Sequence, residues 1–484
     1  MGIVIKQSIH NTITTYIGFA IGALNTLFLY TNFLTDDYYG LVGFLLSAAT
    51  IVTPLMAFGV HNTLIKFYSA FKTIPERDNF LTMMLYLPLL LIIPIGFVGY
   101  LGYDIIVGFL SKENAIIEDF VWTIYLIAIA MAYFEIFYAW VKVKMQSVFG
   151  NFMREVFHRV LITVLLFMVY FKVLTVEEFV WSLVGVYFLR AILMQWYALR
   201  VKFPKLTFVF PKNSISILKY SLLIIVAGSI TLILLDIDKV MIGKYIPIEN
   251  VAYYNVAIFI ATVIAVPARA MNQITYPLTA KFINEKKWSE LKVMYVKSSL
   301  TLFIISGLVF LLIMANINEL YEIIPEEYST GLFVVFVISI SKLLDNVLGI
   351  NNSILYNSDY YRLTVILGVF LAVLTVVLNM LFIPILGING AAIATVISLL
   401  LYSLSKIVVV QWKFKMHPFT FETLKVFLLL CVLGLGFYFW DFTFHPVLNI
   451  ALKSALLCII YLLVVLGGKF SEDLNDLFKK YYPF

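Results

Sequence analysis

Apolar runs of about twenty residues, separated by short charged breaks, recur along the whole chain. At about 1.5 Å rise per residue, one such run wound as an α-helix matches the hydrocarbon thickness of a bilayer. In hydrocarbon an unpaired backbone group costs several kcal/mol, which excludes lone strands, open sheets and long irregular loops. The short alternating segments of a membrane β-barrel do not occur either. Composition agrees, with 62% of 484 residues hydrophobic and only 13% charged, about half the charge of an average globular chain. Mean hydropathy is +0.98. The expected fold is an all-α polytopic membrane protein.

Counting runs between charged breaks predicts about fourteen spans, near 9–33, 39–60, 80–108, 120–141, 157–172, 179–199, 217–241, 251–274, 298–317, 330–356, 363–386, 389–411, 424–440 and 450–467. The fifth is short and the break at 387–389 minimal, so twelve or thirteen also fit. The first run ends in Thr35-Asp36-Asp37 without a small-residue cleavage site, and is expected to stay as an anchor. With the N-terminus in the cytoplasm, 26 of the 34 Lys and Arg fall on the cytoplasmic side, the bias expected of inner loops. They include Lys142, Lys144, Arg154 and Arg159, and the groups 200–219 and 281–297. Lys112, Lys172, Lys239, Lys244 and Lys453 fall outside, beside acids such as Asp36, Glu177, Glu319 and Glu322. An even count leaves the tail from Lys469 inside. The net charge of +6 is then a topology signal and points to no nucleic acid.

The basic linker 200–219 divides the first twelve spans into two sets of six. Pro54 and Pro267 fall in paired spans 213 residues apart, and Glu135 and Asp345 in another pair 210 apart. An even number of spans per set makes this a parallel repeat, as some transporters have. The expected organisation is a six-helix lobe 1–199, the linker 200–219, a second six-helix lobe 220–412, and two extra helices with a tail, 413–484.

Polar residues in spans have two readings. Small and amide side chains let helices pack closely, whereas ionisable groups at membrane depth usually face a bundle interior or a wet cavity. Asn11, Gly18, Asn25 and Asn32 recur every seven residues on the first span. The eighth carries Arg269, Asn272 and Gln273, and the tenth Lys342, Asp345, Asn352 and Ser353. Spans one, two, seven, eight and ten are expected to wall a cavity. Candidate substrate contacts are Arg269, Lys342, Arg190, Asn25, Asn272, Gln273 and Asn352. Asp345 and Glu135 are candidate ion-coupling carboxylates. Each has a plainer reading as half of an ion pair, Asp345 with Lys342 and Glu135 with Arg190; Asp236 and Lys239 form a similar pair.

Other chemistry is poorly supported. Cys431 and Cys458 lie in apolar runs, the five His are scattered, and no nucleotide or metal motif occurs, so no metal or cofactor is expected. An enzyme such as a membrane glycosyltransferase would need carboxylates and bases on a substantial loop, and the long loops are merely basic.

Asp236-Ile-Asp-Lys-Val-Met-Ile-Gly-Lys-Tyr245, followed by Val251-Ala-Tyr-Tyr-Asn-Val-Ala257, resembles the signature between the seventh and eighth helices of polysaccharide flippases. These belong to the multidrug/oligosaccharidyl-lipid/polysaccharide exporter superfamily. The stretch Asn379 to Thr395, with Gly387, Gly390 and Ala391, resembles the turn between their eleventh and twelfth helices. The resemblance implies alternating access between two lobes in a bacterial inner membrane, with both termini cytoplasmic. It implies as cargo a polyprenyl-pyrophosphate-linked oligosaccharide repeat unit for O-antigen, capsule or exopolysaccharide. The drive would be an ion gradient, H⁺ or Na⁺, or the membrane potential. The expected partners are that lipid-linked glycan, the bilayer and other polysaccharide-assembly proteins such as a polymerase, with the flippase itself a monomer. Lipid II flippases carry arginines in helices one and two, and drug/cation antiporters a mid-membrane Asp in helix one. This sequence has neither feature.

The charge bias is directly testable. A reporter active only in the cytoplasm, fused within 202–212, should be active, and one fused within 325–328 silent. The reverse pattern would invert the topology.

Overall fold

The computed structural model describes residues 2–207, 209–211, 213–442, 444–471 and 475; Lys212 and most of the tail after Lys469 lie outside the described residues. Among these the ordered elements are all helical. Among the described residues eleven helices are long and apolar enough to cross a membrane, and the chain is a multi-pass membrane protein. Three expected spans do not appear separately among the eleven. The eleventh and twelfth form one run, Tyr361–Phe414, bent at Gly387 (φ 59°, ψ −138°), a conformation essentially reserved for glycine. The fifth is shortened to His158–Tyr170 because a π-helical turn, Met153–Phe157, precedes it. The seventh lies within the helix Ser214–Tyr245, part of whose side chains lie outside the described residues.

The chain packs as two compact units, Met1–Asn255 and Val256–Phe484. The first unit begins with α1 (Gly2–Leu24), which a π turn, Asn25–Leu29, continues. Next come α2 (Asp36–Met56), α3 (Val60–Phe67), α4 (Ile74–Tyr86), α5 (Leu89–Leu101) and α6 (Tyr103–Leu110). The unit continues with α7 (Val121–Lys142), α8 (His158–Tyr170), α9 (Val176–Val201) and α10 (Ser214–Tyr245). Helix starts follow side-chain chemistry. Reciprocal hydrogen bonds between Thr73 and Glu76 cap α4, and the same box between Thr175 and Glu178 caps α9; each supplies partners for otherwise orphaned N–H groups. The first of these moves the third span's start from the expected 80 to Ile74.

At the centre of this unit α2 packs on α7 and α10. Glycine permits the approach to the turn after α10: a Cβ on Gly40 would stand 2.0 Å from the Ile248 carbonyl oxygen. Pro54 lies in the last turn of α2, and the chain breaks just after it at Phe58 (φ 49°) and Gly59 (φ 64°) before α3 resumes. Proline cannot donate to the helical ladder, so a bend there is expected.

The second unit starts within Glu249–Thr262 (α11). A 3₁₀ turn, Val263–Ala265, then leads into α12 (Val266–Asn284), with Pro267 in its first turn. Next are α13 (Trp288–Ile323), α14 (Leu332–Val347), α15 (Asn351–Asn357), the bent α16 (Tyr361–Phe414), α17 (Phe421–Tyr438) and α18 (Pro446–Gly467). The tenth span, expected as one helix, is broken at Gly349 (φ 53°) between α14 and α15. The two last helices pack on α13, where Phe303, Leu311, Leu430, Leu457 and Tyr461 form a buried core.

Glu319 and Lys453, both expected on the outer side, are 2% and 3% exposed and form an ion pair joining α13 to α18. Asn316, one turn before Glu319, donates to Ser454 at 3.0 Å. Removing Glu319 leaves the buried Lys453 facing the exposed Asp441 carboxylate at 3.9 Å, a loss of up to about 3–5 kcal/mol. Glu319→Gln should therefore lower the melting midpoint markedly, and adding Lys453→Met should restore most of it. A destabilised double variant would contradict this account.

Candidate functional site

The first unit holds a cavity of about 480 Å³ between α2, α3, α7, α9 and the π turn before α8. Thr50, Thr53 and Pro54 line one side, and His61 and Asn62 of α3 close another. Glu135 and Lys142 enter from α7, Arg154 from the π turn and Arg190 from α9. A π turn holds one residue more than an α turn, which shifts the facing of residues on either side. Here Arg154 reaches the cavity and forms an ion pair with Glu135. Arg159 instead lies along α1 beside Gly22 and pairs with Glu155 at 3.6 Å.

Arg190 is 6% exposed, stacked over the Phe134 and Tyr187 rings at 4.3 and 4.8 Å, with no hydrogen-bond partner on Nε. Lys142 sits 3.9 Å over the Tyr138 ring and Arg154 5.1 Å over the same ring. Counted as formal charges with His neutral, the lining side chains carry three cations and one carboxylate, a surplus of two positive charges. Such a pocket favours a doubly charged anion and disfavours a cation.

In the second unit Lys406 of α16 is 2% exposed; its Nζ lies 3.5 Å from the Asp345 carboxylate and donates to Asn352 Oδ1 at 3.0 Å. Arg269 and Asn272 are exposed on α12, Lys342 is half-buried one turn before Asp345, and the side chain of Gln273 lies outside the described residues.

Several expectations change. Glu135 pairs with Arg154, and Asp345 meets Lys406 of another helix, two partners that the spacing along each span did not point to. Asp345 is 52% exposed, where a buried carboxylate was expected. Asn25 is buried against the α8 region, its amide donating to the Arg159 carbonyl at 3.0 Å and accepting from Thr163 at 2.7 Å. Gly18 meets the Glu155 backbone in the same way. The polar stripe of the first span is thus a packing seam, because amides and glycines satisfy and admit a neighbouring helix backbone. Arg154 was assigned to an inner loop because a charged residue near an apolar run reads as its border, and Lys406, within the expected span 389–411, was not singled out. The spacing of Arg154 behind Glu135 was the available signal.

The signature residues 236–254 tie helices together. Asp236 accepts from Ser47 of α2 and from Lys239, both at 3.1 Å, and Asp238 accepts from the Tyr254 hydroxyl at 2.6 Å. The expected Asp236–Lys239 pair is present.

The fold is that of a multi-pass helical membrane protein carrying this signature. The chain belongs to the polysaccharide biosynthesis protein family, whose profile matches residues 4–283. No curated protein matches its sequence. Among solved structures it is similar to the lipid II flippase MurJ in an inward closed conformation (15% identity, TM-score 0.72, covering 96% of this chain and 100% of that one). It is also similar to an inward-facing multidrug resistance MATE family transporter (13%, TM-score 0.64, 84% and 98%). A transporter of the same superfamily from Pyrococcus furiosus is similar too (15%, TM-score 0.60, 85% and 96%). The shared fold is that of the superfamily, and these relatives are flippases and transporters.

Arg190 forms no ion pair among the described residues, so Arg190→Gln should leave folding intact while weakening binding of inorganic pyrophosphate. One lost charge-assisted contact corresponds to about ten-fold or more. Calorimetry on the purified protein reads the difference, and unchanged affinity would remove Arg190 from the site.

Proposed function

We propose that this protein is a flippase that moves polyprenyl-pyrophosphate-linked oligosaccharide units from the inner to the outer leaflet of a bacterial inner membrane by alternating access. The product would feed O-antigen, capsule or exopolysaccharide assembly, in company with a polymerase. The observation that carries this reading is the surplus of two positive charges in the first-unit cavity, which complements the two negative charges of a pyrophosphate diester. Arg190, Arg154 and Lys142 would hold that group. Arg269 and Lys342 would offer further positive charge, and Asn272, Gln273 and Asn352 partners for sugar hydroxyls.

Each unpaired hydroxyl moved into hydrocarbon costs on the order of 4–8 kcal/mol. A few sugars therefore need a polar path and cannot cross a bilayer unaided. The charges of the pyrophosphate also supply a drive, since an inside-negative potential pushes negative charge outward, a gain of about 2.3 kcal/mol per charge per 100 mV. Glu135 and Asp345, each within an ion pair, would release that pair when cargo or a coupling ion arrives. A cation antiporter is disfavoured by the sign of the cavity. A lipid II flippase is the second reading, supported by the 96% structural overlap with MurJ.

Deleting the gene should abolish surface glycan and leave lipid-linked units at the inner face, with rescue by the parent and not by Arg190→Gln. Normal surface glycan with accumulation of lipid II would replace this reading with the second.

A further inference from the structure

The Lys406–Asp345 pair of the second unit is unevenly built. Lys406 is fixed, 2% exposed among α14, α15 and α16, while Asp345 is 52% exposed. A desolvated ammonium requires a counter-charge, and its other contacts are neutral: the Asn352 amide oxygen at 3.0 Å and the Tyr402 ring at 4.3 Å. The carboxylate that meets this need is held loosely. Its 3.5 Å separation exceeds the 2.7–2.9 Å typical of a charge-assisted hydrogen bond, and its contact with Ser403 is also 3.5 Å. It stands in the last turn of α14, where the helix dipole disfavours negative charge. The chain then breaks at Gly349.

We propose that Lys406 is an oxyanion-binding site, with Asp345 as a resident anion that an incoming carboxylate or phosphate displaces. One exposed anion replaces another, so the buried cation is never left alone. This rests on the reading that the cargo is anionic and adds a subsite separate from the first-unit cavity. The oxyanion is either an acidic sugar's carboxylate or a phosphate of the lipid carrier.

The test is calorimetry at low ionic strength on the full chain in nanodiscs, with glucuronate and inorganic phosphate as probes. Losing an internal competitor worth up to about 1 kcal/mol should make Asp345→Asn bind about two- to five-fold tighter than the parent. Adding Lys406→Gln should abolish the gain. A gain for glucuronate assigns the site to the glycan, and a gain for phosphate assigns it to the carrier. Asp345→Ser serves as the neutral variant if the asparagine form melts early. Equal or weaker binding of both probes by a folded neutral variant, or a gain that survives Lys406→Gln, overturns the proposal. Neither probe is a lipid-linked glycan, so this result stands apart from the export assay.

Discussion

Charge inside an apolar helical bundle governs much of this structure. Taking a carboxylate or an ammonium out of water has a penalty of several kcal/mol even after relaxation, and only a close counter-charge with good hydrogen bonding offsets it. The chain meets this demand at different depths of burial. Glu319 and Lys453 are sealed together and hold α18 on α13. Asp236 and Lys239 form a half-buried pair on one helix, to which Ser47 adds a hydrogen bond. Glu135–Arg154 lines a cavity, and Asp345–Lys406 is buried on one side only. The series runs from structural tie to exchangeable contact, and burial of the carboxylate separates the ends.

Arg190 departs from this rule. Its guanidinium is buried over two aromatic rings without a carboxylate, an arrangement that aromatic faces support only in part. Together with Lys142 and Arg154 it gives the cavity a positive excess that is unfavourable while empty and favourable once an anion enters. Strain of this kind is where binding function is expected to reside.

Backbone irregularities set the geometry of these groups. The π turn at 153–157 parts Arg154 from Arg159, the break at 57–59 turns α3 over the cavity, and Gly349 ends α14 beside Asp345. In hydrocarbon such breaks survive only where neighbouring helices or a wet cavity satisfy the freed groups, and two of the three stand next to the charged pairs.

Sequence pattern alone determined the helical membrane class, most helix positions, the bends after Pro54 and at Gly387, and the family signature. Each depends on local chemistry: hydrophobic length, proline's missing donor, glycine's freedom at positive φ. The packed chain decided which residues meet. Glu135 and Asp345 were legible as intramembrane acids, but their partners Arg154 and Lys406 come from other helices. Asn25 and Arg190 looked alike as polar residues in spans, yet one satisfies a helix seam and the other lines the cavity. A one-dimensional pattern gives a residue's depth and its face, whereas its partner depends on how neighbouring helices rotate and where their turns widen, which only close packing in three dimensions settles.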